Sequence, residues 1–118
     1  MEIQLKRAYD PPAPGDGRRV LVDRIWPRGI ARDDLRIDAW LKELAPSPEL
    51  RKWFGHEPEK WQEFKARYAR ELDKRPDALA QLVEIVKAGR VTLLFGAKDT
   101  EHNNAVALKE YLERQLNG

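Results

Sequence analysis

The chain has 118 residues, 42% of them apolar and 36% charged, with 22 basic and 20 acidic side chains leaving a net charge of +2. This length supports one buried core, read as a single domain over residues 1–118, and the near-balance of charge argues against a dedicated nucleic-acid binder. There is no cysteine, which excludes disulfides, thiolate metal sites and a cysteine nucleophile.

The amino terminus lacks the apolar core of a signal peptide. No apolar run approaches the roughly 18 to 20 residues that span a bilayer, so the expectation is no membrane contact and a cytoplasmic setting. In chain order, Ile3 and Leu5 alternate with Gln4 and Lys6, predicting a first strand over 3–8. Three prolines and two glycines between Asp10 and Gly17 then interrupt regular structure. Arg19 to Ile25 reads as a second strand, whose Val20-Leu21-Val22 run suits a central place in a sheet.

From Asp33 to about Gly89 the pattern is helical. Ile37, Trp40, Leu41 and Leu44 fall at i, i+3, i+4 and i+7, predicting a helix with one apolar face that Pro46 stops. Ser47, the chain's only serine, suits an N-cap with Pro48 in the first helical position, and Gly55 suits the end of that helix. Pro58 opens the next helix, where Trp61, Phe64, Tyr68 and Leu72 form an aromatic and aliphatic stripe read as core. A further helix with Leu79, Leu82, Val83 and Val86 follows Pro76 and closes at Gly89.

Arg90 to Phe95 is the third strand, and a last helix is expected from about Glu101 to Gln115, capped by Thr100. A long helical excursion between the second and third strands is the connection that a parallel pair requires. The fold class expected is therefore α/β, a small and largely parallel three-stranded sheet packed with several helices. The orientation of the first strand stays open.

If the second and third strands are parallel, Asp23 to Arg28 and Gly96 to Asp99 emerge on the same sheet edge. Crevices outside the carboxyl ends of such strands are the usual ligand sites of open α/β sheets. A parallel first strand would bring Arg7 and Tyr9 there too. Arg24 and Arg28 offer planar forks for phosphate or carboxylate, or else internal ion pairs with Asp23, Asp33 or Asp34. Trp26 either stacks on a planar group or caps the core.

The start of the last helix is a second anion-attracting feature, to which Lys98 adds a mobile charge and Asn103 and Asn104 neutral donors. His102 and Asp99 are the candidate catalytic pair for proton transfer, with a solvent-facing histidine as the alternative. His56 lies in a turn between helices and is read first as a turn residue. The adjacent His56-Glu57 and the clustered Asp99, Glu101 and His102 match no metal-ligand spacing, so no metal is expected.

The chain resembles the YeaO-like family of small bacterial proteins of unknown function. The resemblance is carried by Lys6-Arg7-Ala8-Tyr9-Asp10, by Gly17 to Gly29 with its Val-Asp-Arg-Ile-Trp-Pro-Arg-Gly ending, by Leu44 to His56 and by Leu93 to Ala105. It implies no reaction and no cofactor. The family is similar to larger proteins, some with a cysteine-histidine-arginine sequence after the last comparable strand. Here Glu101-His102-Asn103-Asn104 stands in that place, so thiol chemistry does not carry over.

The leading expectation is a small anionic ligand, a phosphate, carboxylate or nucleotide, at the strand ends. Arg7, Arg24, Arg28, Lys98 and Asn103 would bind it, with Tyr9 or Trp26 as a planar wall. Two other classes remain. A nucleic-acid accessory would use Arg18-Arg19 and the 24–32 region, and a protein-interaction module would use exposed tryptophans.

Overall fold

The computed structural model describes residues 2–117. Ile3–Arg7 (β1), Arg18–Leu21 (β2), Ala39–Trp40 (β3) and Val91–Phe95 (β4) form one sheet in the order β1-β4-β2-β3, and every neighbouring pair is parallel. The register sets Arg7 beside Phe95 and Leu21 beside Leu94, so β1, β2 and β4 all discharge their loops at one edge.

The three strands expected from the sequence are present, and the first is parallel. The sheet nevertheless has four strands, not three. β2 also ends at Leu21 instead of Ile25, although the Val22 amide still donates to Leu94 O at 3.2 Å.

Helices α1 (Arg32–Leu35), α2 (Pro48–Phe54), α3 (Trp61–Leu72), α4 (Pro76–Ala88) and α5 (Asn104–Asn117) complete the fold. Alternation along the strands divides the sheet into two faces. Val20, Val22, Leu93 and Phe95 join the buried residues of α2 to α5 in the main core. Leu21 and Leu94 face the other way, into a smaller cluster with Ala8 and Leu35 that Trp26, Ile37 and Trp40 border.

The second face also carries a buried polar group. Arg19 Nη1 donates to Asp16 Oδ2 at 2.5 Å and Nη2 to Leu35 O at 2.8 Å, while Thr92 Oγ1 donates to Asp16 O at 2.6 Å. Lys6 Nζ reaches the same carboxylate at 3.1 Å.

The helix expected through Ile37, Trp40, Leu41 and Leu44 does not form. The open edge of β2 takes this backbone instead: Asp38 N donates to Arg19 O at 2.7 Å and Leu41 N to Leu21 O at 2.9 Å. Ile37 and Trp40 pack against the smaller cluster, whereas Leu41 and Leu44 belong to the main core. Two faces of a sheet thus share apolar residues that a helix would have collected on one stripe.

Elsewhere the local signals hold. Ser47 Oγ accepts from the Leu50 amide at 3.1 Å, Pro48 occupies the first turn of α2, and Gly55 closes it in the left-handed region. Ser47 Oγ also donates to Glu71 Oε2 at 2.6 Å, docking the α2 cap on α3. Trp61, Phe64, Tyr68 and Leu72 are buried as the stripe requires, and the Tyr68 hydroxyl donates to Leu44 O. α5 begins at Asn104, later than expected, and its first turn is capped by Asn103 Oδ1, which accepts from the Val106 amide at 3.0 Å, rather than by Thr100.

Gly17 lies at φ 64°, where a Cβ would stand 2.4 Å from Arg90 O, the acceptor of the Arg18 amide as β2 enters the sheet. Gly17→Ala is expected to lower unfolding free energy by about 2–3 kcal/mol in urea denaturation, through overpacking and left-handed strain. Gly15→Ala, where nothing lies within 4 Å, should change it by less than ~0.5 kcal/mol. Equal effects of the two would contradict this account.

Candidate functional site

The loops leaving the carboxyl edge enclose a cavity of about 580 Å³, inside the roughly 300–1,000 Å³ typical of small-molecule sites. Its walls come from the 23–28 loop after β2, the start and end of α2, the turn after β4 and the approach to α5.

Asp23 joins these segments. Its Oδ2 accepts from the Gly96 amide at 2.8 Å, and its Oδ1 from Asn104 Nδ2 at 3.0 Å. The same Asn104 nitrogen donates to Val22 O at 3.0 Å, and Trp40 Nε1 donates to Asp23 O at 2.7 Å. A Cβ on residue 96 would come within 3.1 Å of Asp23 Oδ2, so glycine permits this approach. Burial pushes the Asp23 carboxyl above the usual carboxylate range, against the lowering effects of the Gly96 amide, Asn104 and the Arg51 charge.

The cations follow from the loop that Asp23 anchors. Arg24 lines the cavity half-buried, and its Nε–H is buried without a hydrogen-bond partner among the described residues. Its Nη2 makes one long contact, 3.4 Å to Ala45 O. Leaving a charged donor in that state costs on the order of 1–3 kcal/mol or more. The ion pairs with Asp23, Asp33 or Asp34 considered from the sequence do not form among the described residues. Arg28, Arg51 and Lys52 are exposed at the rim, also without ion pairs among the described residues.

Behind the lining residue His102, Asp99 Oδ1 accepts the amides of Glu101 and His102 at 2.9 and 3.0 Å, which hold its carboxyl below the usual range. Asp99 Oδ2 lies 3.0 Å from His102 Nδ1. That contact orients the imidazole, with its ring edge against Trp61 at a centroid distance of 5.4 Å, and leaves Nε2 without a protein partner among the described residues.

Of the residues expected at the site, Tyr9, Arg24, Trp26, Arg28, His102 and Asn103 line the cavity. Arg7, Lys98 and Asp99 do not. The Arg7 guanidinium is spent on structure, with Nε donating to Ala97 O at 2.9 Å, and sits 5.1 Å over the Tyr9 ring. Lys98 is exposed on the turn, and Asp99 meets the cavity lining through its contact with His102. Asn103 is buried as the α5 cap, with Nδ2 donating to Asp99 O at 2.9 Å.

Trp26 is committed to packing. Its Nε1 donates to Ile30 O at 2.7 Å, it meets Trp40 edge-on at 5.5 Å, and the Arg32 guanidinium lies 5.1 Å over its ring. Sequence reasoning passed over Asp23, Arg51, Lys52 and His56 as site residues. Asp23 had a signal, an acid ending a buried apolar strand. Arg51 and Lys52 look like any solvated helix face. His56 stands out only in the folded chain, as a non-glycine residue at φ 58° on the cavity wall.

The other two functional classes also meet the structure here. Arg19, one of the arginines that the nucleic-acid alternative would use, is buried against Asp16 and Leu35. All four tryptophans are buried or half-buried, and the exposed large apolar side chains among the described residues are Tyr9 and Ile25. No cluster of three or more His, Asp or Glu suited to a metal ion occurs among the described residues. No helix among them is long and apolar enough to cross a membrane.

Fold and site together define an open-sheet α/β domain with a cation-rimmed crevice at the carboxyl edge of its strands. The chain belongs to the YeaO-like family: residues 2–118 match the family model described as "Inactive DUF488-N3 subclade". It is 46% identical over 112 residues to the uncharacterized protein YeaO of Escherichia coli (strain K12), covering 95% of this chain and 97% of that one. It is also 42% identical over 110 residues to uncharacterized proteins of Mycobacterium bovis and Mycobacterium tuberculosis, covering 93% of this chain and 92% of each. No solved structure matches it.

The two aspartates should titrate on opposite sides of the ordinary value. With its folded pKa raised, Asp23 contributes stability that declines as pH rises from the ordinary aspartate range through its folded value. Asp99, with its folded pKa lowered, contributes stability present above the ordinary value and lost as pH falls through its folded value. Carboxyl carbon-13 NMR titration checks both, and the reverse order would overturn the assignment of burial and amide contacts.

Proposed function

We propose that the crevice binds a small anionic ligand bearing a phosphate or carboxylate, and that binding rather than turnover is its role. The observation that carries this reading is Arg24, a cavity-lining guanidinium with a buried, unpartnered Nε–H and no ion pair among the described residues. That Nε–H is closed to solvent, so an anion oxygen would supply the missing acceptor through a small turn of the half-buried side chain, with Nη1 and Nη2 as further donors. Such charge-assisted bonds are roughly twice as strong as neutral ones, and a guanidinium fits phosphate or carboxylate in a planar, two-pronged way.

Arg28, Arg51 and Lys52 at the rim raise the local anion concentration and leave the first contact to Arg24. Tyr9 supplies an aromatic wall beside the entrance, and Asn103 holds the start of α5 in place. A nucleotide is the largest member of the class that this volume favours.

Asp99 and His102 have the arrangement of an orienting acid and a proton carrier, which favours chemistry as a second reading. The description of the family as inactive weighs against turnover, so His102 is assigned to hydrogen bonding with the ligand through Nε2. The proposal sets this binding in the cytoplasm of a bacterium, the source of the relatives matched.

A thermal-shift screen of inorganic phosphate, simple carboxylates and nucleotides should identify at least one ligand that raises Tm. Arg24→Ala should weaken it by about tenfold or more, the scale of one charge-assisted hydrogen bond. Arg28→Ala should weaken it less, as an exposed charge does. No shift with any of these ligands, or shifts that survive both substitutions, would reject the reading.

A further inference from the structure

The crevice has two electrostatic zones. Four cations line it, Arg24, Arg28, Arg51 and Lys52, yet its inner wall carries one carboxylate, Asp23. A site for a simple anion gains nothing from an acid at that point, since a like charge repels the ligand. Asp23 is nevertheless held in place on both oxygens, by the Gly96 amide at 2.8 Å and by Asn104 Nδ2 at 3.0 Å.

Each carboxylate oxygen has two acceptor positions. The bonds from Gly96 and Asn104 fill one on each oxygen and leave the other open among the described residues. Both protein donors are neutral amides, and the neighbouring Arg24 makes no ion pair with Asp23. The buried charge therefore lacks a cation in direct contact. Burial holds its carboxyl above the usual range even with these donors in place, the mark of an undercompensated acid.

We propose that the ligand is zwitterionic: a small molecule with a phosphate or carboxylate for Arg24 and an ammonium or amino group for Asp23. This rests on the anion-binding reading above and adds a second recognition point to it. Arg24 satisfies its unpartnered Nε–H with the ligand's anionic oxygen. Asp23 completes its acceptor positions with the ligand's N–H donors, and Gly96 and Asn104 fix the direction in which the carboxylate faces. Asp23 is then a specificity residue, and it disfavours ligands that carry negative charge alone.

Phosphoethanolamine and ethyl phosphate separate the two levels of the proposal. They share the phosphate and the two-carbon body and differ in the ammonium group. General attraction to a cationic crevice favours ethyl phosphate, which has the greater net negative charge. The zwitterion proposal expects the opposite in calorimetric titration of the full chain, with phosphoethanolamine tighter by roughly tenfold or more.

Asp23→Asn should abolish that preference; because an amide offers one oxygen where the carboxylate offers two, it also gives up one of the two N–H bonds at the joint, and binding of both ligands should weaken. A second measurement needs no variant. The Asp23 carboxyl carbon-13 resonance should move on titration with phosphoethanolamine and stay in place with ethyl phosphate. Ethyl phosphate binding as tightly as phosphoethanolamine, or more tightly, overturns the zwitterion inference and leaves the anion reading standing. Loss of binding of both in Arg24→Ala supports the anion reading, and failure of both to bind the native chain overturns both readings.

Discussion

The Asp23 carboxylate accepts from the Gly96 amide and from Asn104, while its main-chain carbonyl accepts the Trp40 indole N–H. Four pieces of chain therefore meet on one residue: the end of β2, the turn after β4, the start of α5 and the edge strand β3. A buried polar centre of this kind is stabilising only when its members are satisfied together, because each unmet group carries a desolvation penalty. The crevice owes its shape to this joint. Arg24 and the loop to Arg28 follow it directly, and the Asp99–His102 pair lies between Gly96 and Asn104 in the chain.

The rest of the fold makes the joint possible by bringing parallel strand ends to one edge. Val20, Val22, Leu93 and Phe95 seal one face against α2 to α5, and Leu21 and Leu94 seal the other. Burial on both faces leaves β2 and β4 little freedom of register, since a one-residue slip would exchange the two sets. Functional groups are then confined to the loops, where a rigid sheet presents them.

Much of this was legible from the chain. β1 shows in the alternation of Ile3 and Leu5 with Gln4 and Lys6, β2 and β4 in short apolar runs, and the long excursion between β2 and β4 is the connection that a parallel pair requires. Ser47-Pro48 and Gly55 mark α2 because capping chemistry is local. β3 was not legible, because Ile37 and Trp40 serve one face of the sheet and Leu41 and Leu44 the other. Summed along the sequence, the two sets imitate a helical period. The late start of α5 has a similar cause: Asp99 captures the amides of Glu101 and His102 in a turn, and the cap passes to Asn103.

The site was legible as a place more than as a set of contacts. Strand-end convergence put Tyr9, Arg24, Arg28 and His102 together, but long side chains choose partners that sequence spacing does not reveal. Arg7 turned to Ala97 O, and Asp23 turned inward to Gly96 and Asn104 instead of pairing with Arg24.

The most direct test is nitrogen-15 NMR of the arginine side chains during titration with phosphoethanolamine. The account predicts that the Arg24 Nε–H resonance shifts to saturation together with the Gly96 amide and the Asn104 side-chain amide. Saturable binding that leaves the Arg24 Nε–H resonance unmoved would contradict it.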